Sequence, residues 1–325
     1  MFEDKLPILE IRNLTKQFAL EGGKQLTAVD NVSLELYSGQ SLGIVGESGC
    51  GKSTLAKIVA HLDSVTSGNI RYMNRDITHL QGEELRQNRR KLQMIFQDPS
   101  ASFNPRMKIG NIVSEPLLNF KLMNKGEARE ETKKLLAMVG LPETIMSRYP
   151  HQLSGGQKQR AAIARALSLK PEILVCDEAT SDLDVSIQAQ VVQLLVDLQK
   201  EQGLSYIFIG HDLALIRNIS HRIAVMYLGR IVEVIDSEVL TTEAVHPYTK
   251  ALLASVFSVK GESNSAIGVI EGDPPSPLEI PLGCSFNSRC TKCVGKCFGE
   301  KPELKEVKTN HFTACHLCSD LGEDV

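Results

Sequence analysis

Along the first part of the chain, apolar and polar positions alternate. The segments ILEIRNLTKQF, LTAVDNVSLEL and SLGIVG, within residues 8–46, are rich in β-branched residues and read as strands punctuated by turns. Between about 80 and 165 the texture becomes helical and charged, as in GEELRQNRRKL and GEAREETKKLLAMVG, the latter stopping at Gly140 where helices commonly end. This predicts a helical subdomain. From residue 172 the pattern alternates again: the apolar run EILVCDEA, the helix VSIQAQVVQLLVDLQKEQG, the run SYIFIGHD and the helix LALIRNIS. Such alternation predicts an α/β fold with a parallel sheet. HRIAVMYLGRIVEVID reads as two strands about a glycine turn, and the proline-dense EGDPPSPLEIP that follows suits an extended linker. A domain boundary is therefore expected between about 260 and 282, with one domain over residues 8–260 and a second over 261–325. No internal repeat is visible.

Candidate chemistry lies at the ends of the apolar runs. GIVGESGCGKST places Gly46, Glu47, Ser48, Gly49, Cys50, Gly51, Lys52, Ser53 and Thr54 after an apolar strand and before the helical LAKIVAHL, which is the P-loop pattern in its required context. The glycines let backbone N–H groups face a phosphate chain. The helix start adds positive potential, Lys52 reaches the outer phosphates, and Ser53 offers an oxygen to Mg²⁺. Asp177 and Glu178 close the run ILVCDE, where one carboxylate can hold Mg²⁺ and the other can orient or deprotonate a water. Ser154, Gly155, Gly156 and Gln157 open a further helix and present another phosphate-seeking N-terminus. His211 and Gln97 end two more apolar runs; taken singly, such residues are usually structural. Cys50 has two readings, a thiol activated by the helix start or a small buried filler.

Charge and composition narrow the classes. The chain has 325 residues, is 42% hydrophobic and carries a net charge of −3 with a pI near 6.3. It is long enough for a sizeable core and has no global positive field to hold nucleic acid. MFEDKLPILEIRNL lacks the basic start and apolar run of a signal peptide, and no apolar run reaches the ~18 residues a bilayer requires, so a protein that neither is exported nor spans a membrane is expected.

Six of the eight cysteines crowd the tail, at 284, 290, 293, 297, 315 and 318. In a reducing compartment such crowding points to metal before disulfides. By spacing, Cys290-x2-Cys293 with Cys315-x2-Cys318 would make a paired-CxxC zinc site, while an iron–sulfur cluster would also take four of the thiolates. A cap of metal-free buried thiols is the plainest alternative.

Taken in order, GESGCGKST, FQDP, LSGGQKQR, LVCDEATSDLD and GHD resemble the nucleotide-binding subunit of ATP-binding-cassette (ABC) transporters. The resemblance implies a P-loop NTPase cassette with a RecA-like core, an antiparallel β subdomain, a helical subdomain and here a small C-terminal Cys-rich extension. It also implies a head-to-tail dimer in which each ATP is closed over by the LSGGQ helix of the other subunit. On motif match, Phe18 stacks on adenine, Gly46 to Thr54 bind phosphates, and Ser53, Gln97 and Asp177 serve Mg²⁺. Glu178 is the general base, and His211 contacts the γ-phosphate and the attacking water. Asp184 makes the D-loop contact, and Ser154 to Gln157 serve the partner's ATP. Two departures from the family pattern stand out: Asp182 occupies a position usually held by alanine, and Gly210 a position usually held by serine.

A narrower resemblance, carried by SFNPRMKIG, DVSIQAQVVQLL and the tail from HPYTKALLASV to HFTACHL, is to the oligopeptide/dipeptide/nickel importer ATPases, the second or F-type subunit in particular. It implies an ATP hydrolase on the cytoplasmic face of the inner membrane. Its partners would be a second ABC ATPase, giving a heterodimer, two transmembrane permeases and an external substrate-binding protein; nucleic acid is no partner. Peptide is the expected cargo, with nickel or an oligosaccharide as alternatives, and a non-hydrolysing regulatory subunit is the competing class, with Asp182 as its support. Residues 98–117 resemble the segment that receives the coupling helix of a permease. The family pattern in the tail matches Cys284, Cys290, Cys297 and Cys315, which implies a 4Fe–4S cluster ahead of zinc and leaves Cys293 and Cys318 as extras.

Overall fold

A computed structural model of the chain describes residues 6–181, 183–258, 272 and 275–318. The chain forms two compact units, one from residues 1–37, 41–78 and 209–325 and the other from residues 38–40 and 79–208.

The first unit opens with β1 (Leu9–Ala19) and β2 (Gln25–Leu36), a long antiparallel pair whose register shifts where Asn13 and Asn31 take positive φ. Asparagine tolerates that conformation, and the bulges are tied down by Asn13 N–H donating to Ser33 Oγ at 2.9 Å and Asn31 N–H to Thr15 Oγ1 at 3.1 Å. The buried strand β3 (Ser41–Val45) leads into α1 (Lys52–Val59), and β4 (Ser67–Tyr72) and β5 (Arg75–Asp76) complete an antiparallel sheet of order β2-β1-β4-β5.

The second unit carries α2 (Gly82–Lys91), β6 (Leu92–Ile95), α3 (Pro99–Ser102), α4 (Ile109–Asn119), α5 (Lys125–Met138) and α6 (Gly155–Leu167). It continues through β7 (Ile173–Asp177) and α7 (Val185–Gln202) to β8 (Ser205–Gly210), whose last two residues return the chain to the first unit. Helices α4, α5 and α6 pack on one another around Ile112, Val113, Leu117, Leu136 and Ile163, all buried. The stretch read as helical from about 80 to 165 thus includes a strand, β6, which lies parallel to β7. Four residues are too few for an apolar run to announce itself beside the charged α2.

Back in the first unit, α8 (Leu213–Ile219) precedes the hairpin β9 (Arg222–Tyr227) and β10 (Arg230–Asp236), turned by Leu228 and Gly229, both at positive φ. Then come α9 (Leu240–Glu243), α10 (Pro247–Ser258), α11 (Lys296–Gly299), β11 (Lys305–Lys308) and β12 (His311–Thr313). Their sheet runs β11-β12-β10-β9-β3, with β3 parallel to β9. Residues 305–313 are therefore sewn into the sheet of this unit through Glu233 opposite Thr313 and Val234 opposite Phe312. Most of the expected linker, and Asp182 with it, lie outside the described residues.

Candidate functional site

In the first unit the phosphate loop hangs between β3 and α1. Gly51 has φ +105°, and a Cβ there would lie 2.0 Å from the Ala28 carbonyl oxygen, so only glycine fits the N-cap of α1. The Lys52 ammonium, 4% exposed, donates to the carbonyl oxygens of Gly46 at 2.8 Å and Glu47 at 2.9 Å. Its charge is held at the mouth of the loop, beside the exposed Ser48, Gly49 and Ser53. Gly229 N–H donates to Cys50 O and Asp30 N–H to Gly229 O, both at 2.8 Å, which anchors the loop to the β9–β10 turn.

Cys50 is 4% exposed, and burial raises its thiol pKa in spite of Lys52. Of the two readings of Cys50, the small buried filler is the one its burial favours: the helix start is near, but the sulfur sits in the protein interior. Phe18 lies on β1, half-buried, with Lys16 Nζ 4.8 Å from its ring centroid. His211 is exposed directly after β8, and Asp212 caps α8 by accepting from Leu215 N–H at 3.0 Å. A Cβ on Gly210 would meet Ile216 at 3.1 Å, so serine at this place would press on α8.

In the second unit, Asp177 is the last residue of β7, 6% exposed, and Glu178 follows at φ +47°. A non-glycine residue in that region stores backbone strain. Gln97 is exposed two residues beyond β6, in front of Asp98, which accepts from Ser100 N–H at 2.7 Å to start α3. Ser154 caps α6: its hydroxyl accepts from Gln157 N–H at 3.3 Å while the Gln157 side chain accepts from Ser154 N–H at 3.2 Å. Both signature side chains thus order the helix start itself, and Gly155 is exposed at the dipole end. Asp184, exposed, precedes Val185, which is 82% exposed at the start of α7.

The sequence pattern thus places each motif at a strand or helix terminus as expected, with the loop and His211 in one unit and Gln97, Asp177, Glu178, Ser154 to Gln157 and Asp184 in the other. Residues 29–181 match the ABC transporter family. The Bacillus subtilis oligopeptide transport ATP-binding protein AppF is 46% identical over 321 residues, covering 96% of this chain and 98% of its own length. The chain belongs to the ABC transporter family of ATP-binding subunits. Residues 232–297 of this ABC subunit further match the oligopeptide/dipeptide transporter C-terminal region. The Escherichia coli oligopeptide transport ATP-binding protein OppF is 45% identical over 324 residues, covering 96% of the subunit and 97% of itself. Among solved structures, the dimeric post-hydrolysis state of the cassette MJ0796 bound to ADP and Pi matches with a TM-score of 0.65 at 33% identity, covering 70% of the subunit and 98% of that chain. CbiO1 of Clostridium perfringens matches with a TM-score of 0.65 at 26% identity, covering 78% and 95%. The fold is the P-loop NTPase cassette.

The ABC subunit also carries site residues that motif reading missed. Tyr248 Oη accepts from Glu47 N–H at 3.0 Å, and Arg289 donates to both oxygens of the Glu47 carboxylate, at 2.8 and 3.1 Å. Arg289 stood beside a cysteine in the tail pattern, but nothing local ties it to a loop 242 positions away.

In the tail, Cys284 N–H donates to Cys297 O at 2.8 Å, and Asn287 Nδ2 donates to the same oxygen at 3.3 Å. Burial, then the neighbouring Cys297, Cys315 and Cys290, push the Cys284 thiol up to about 11. Burial, then Cys315 and Cys297, raise Cys290 as well. The four thiols that the resemblance singled out thus share one electrostatic neighbourhood. Cys318 holds Cys315 down at about 6 by hydrogen bonding. Among the described residues no group of three or more His, Cys, Asp or Glu side chains is placed to hold a metal ion, so neither the paired-CxxC zinc reading nor the 4Fe–4S reading gains support from side-chain placement.

Proposed function

We propose that this subunit binds and hydrolyses ATP to drive import of di- and oligopeptides, working on the cytoplasmic face of the inner membrane as one half of an ATPase heterodimer beneath two permeases. A substrate-binding protein on the far side would deliver the peptide. One observation carries this reading: a phosphate loop with every catalytic residue type intact, in a chain resembling oligopeptide transport ATP-binding proteins from end to end. In the hydrolytic step, Glu178 takes a proton from a water as its oxygen attacks the γ-phosphorus, and the bond to the bridging oxygen of ADP breaks. Ser53, Gln97 and Asp177 serve Mg²⁺, Lys52 the outer phosphates, Phe18 the adenine, and His211 the γ-phosphate. The Ser154–Gln157 helix start and Asp184 face the nucleotide of the second ATPase. The exposed Val185 and Gly155 support an unfilled contact surface there.

Permease docking fits a groove of ≈630 Å³ in the second unit, lined by Met107, Lys108, Gly110, Ser114, Glu115 and Leu118, within and beside the segment expected to receive a coupling helix. The reading is tested in vesicles carrying the assembled complex, where external peptide delivered by the binding protein should be taken up at the expense of ATP; uptake of nickel or oligosaccharide in its place would reassign the cargo.

The tail thiols Cys284, Cys290, Cys297 and Cys315 would hold a 4Fe–4S cluster, whose contribution is to crosslink the cap. Support comes from the match of these four cysteines to the tail pattern of the importer ATPases that the chain resembles. Protein purified without oxygen should be brown, with about four iron and four sulfide per chain. Colourless protein with stoichiometric zinc would reverse the assignment.

A further inference from the structure

The ATP chemistry described above uses the P-loop backbone, Lys52 and the carboxylates, and leaves one feature of the first unit unexplained: the cysteine-bearing tail grips the phosphate loop. We propose that Arg289 is a positioning residue for nucleotide binding, a clamp through which the order of the cap at residues 284–297 sets the conformation of the phosphate loop at Glu47 and Lys52.

The clamp is built from both sides. Arg289 Nη1 and Nη2 reach Glu47 Oε2 and Oε1 at 2.8 and 3.1 Å, a forked arrangement that fixes the carboxylate in orientation as well as position. Arg289 is 7% exposed and Glu47 24%, so water screens the pair poorly. The same Nη1 also lies 3.3 Å from Tyr227 Oη and the guanidinium carbon 5.9 Å from that ring's centroid, whereas the buried Nε has no hydrogen-bond partner among the described residues. On the main chain, Tyr248 Oη receives Glu47 N–H. Phe286, 3% exposed, packs edge-on to Tyr227 at 5.2 Å and tilted against Tyr248 at 5.3 Å, seating the tail on the two tyrosines that flank the loop.

From Glu47 the path to the phosphates is one residue long. The Glu47 carbonyl accepts from Lys52 Nζ at 2.9 Å and from Cys50 N–H at 3.3 Å, so the residue that Arg289 holds also holds the lysine that serves the outer phosphates. Immediately C-terminal to Arg289 is Cys290, and Cys284 N–H is bonded to Cys297 O, so the arginine rides on the cysteine turn. A cap that is ordered presents Arg289 to Glu47; a cap that opens withdraws it.

The proposal rests on the P-loop as the ATP site, and the experiment separates the two. Full-length wild type, Arg289→Met, Arg289→Lys, Glu47→Gln and the Arg289→Met/Glu47→Gln double variant are titrated with a fluorescent ATP analogue, mant-ATP with Mg²⁺, and hydrogen exchange is followed over residues 284–297. The two neutral single variants should each bind about tenfold more weakly, the double variant no more weakly than either, and Arg289→Lys should recover part of the loss. Because coupling is reciprocal, Mg-mant-ATP should slow exchange at residues 284–297 in the wild type and leave it unchanged in Glu47→Gln. Glu47→Gln serves from the loop side should Arg289→Met not fold. Wild-type affinity in both neutral variants, or losses that add in the double variant, would overturn the clamp while leaving the ATP site standing. Failure of the wild type to bind mant-ATP at all would remove the ATP site and the clamp together.

Discussion

At the scale of single residues, chemistry was legible wherever a motif fixes a backbone shape, and illegible wherever the third dimension decides. Gly51 and Lys52 could be placed from the P-loop pattern because glycine at φ +105° and a lysine facing two carbonyls are what that turn requires. Cys50 could not: the sequence shows a thiol beside a helix start, and only the structure shows it 4% exposed with burial outweighing the nearby lysine. Arg289 was legible as a neighbour of Cys290 and not as a partner of Glu47. Glu178 combines both cases, since its position after an apolar strand was evident but its φ of +47° was not. That residue carries the prediction for this scale. Glu178→Gln should retain ATP binding in the assembled complex, and its hydrolysis rate should fall about 100-fold or more, because an amide accepts no proton. Steady-state phosphate release at the wild-type rate would remove Glu178 from the role of base.

At the scale of elements, long periodic segments were readable and short ones were not. The 18-residue α7 and the β9–β10 hairpin follow their patterns closely. The four-residue β6 and the three-residue β12 do not, because so few side chains cannot display a period. β12 matters more than its length suggests. It brings His311 Nε2 to 2.8 Å from Glu233 Oε1, and Glu233, fully buried on β10, also accepts from Val245 N–H at 2.7 Å at the approach to α10. Burial alone would raise the Glu233 carboxyl, but the hydrogen bonds with His311 and Val245 N–H help carry it below the ordinary value. Next to it, burial pulls the His246 imidazole down to about 4, against a usual value near 6.5. Between those two pH values the unfolded chain binds a proton that the folded chain refuses, so stability is full above about pH 6.5 and falls as the pH drops toward 4, at up to about 1.4 kcal/mol per pH unit. Glu233 adds to the loss below about pH 4.5, where the unfolded carboxylate takes up its proton first. His246→Asn keeps an acceptor for Tyr248 N–H, now 3.1 Å from His246 Nδ1, and should flatten the dependence between pH 6.5 and 4.5 in urea titrations. An unchanged slope would show that another group titrates.

At the scale of the whole molecule, the subunit is one partner in an assembly. The family and the cassette fold could be read from the order of five motifs, because each is a short signature at a strand or helix end. The tail's attachment was hidden: its strands β11 and β12 join the sheet of the first unit through residues separated by about 80 positions in the chain. In the proposed assembly, cargo would be read by the binding protein and the permeases and not by the ATP site. Coupling of hydrolysis in this subunit to transport through its partners is tested best by transport itself. Sealed vesicles containing the two permeases, the second ATPase and this subunit, loaded with ATP and given a labelled oligopeptide on its binding protein, should accumulate the peptide. Accumulation should stop when this subunit is replaced by Glu178→Gln. Equal accumulation with the Glu178→Gln subunit, or in vesicles without ATP, would contradict the account.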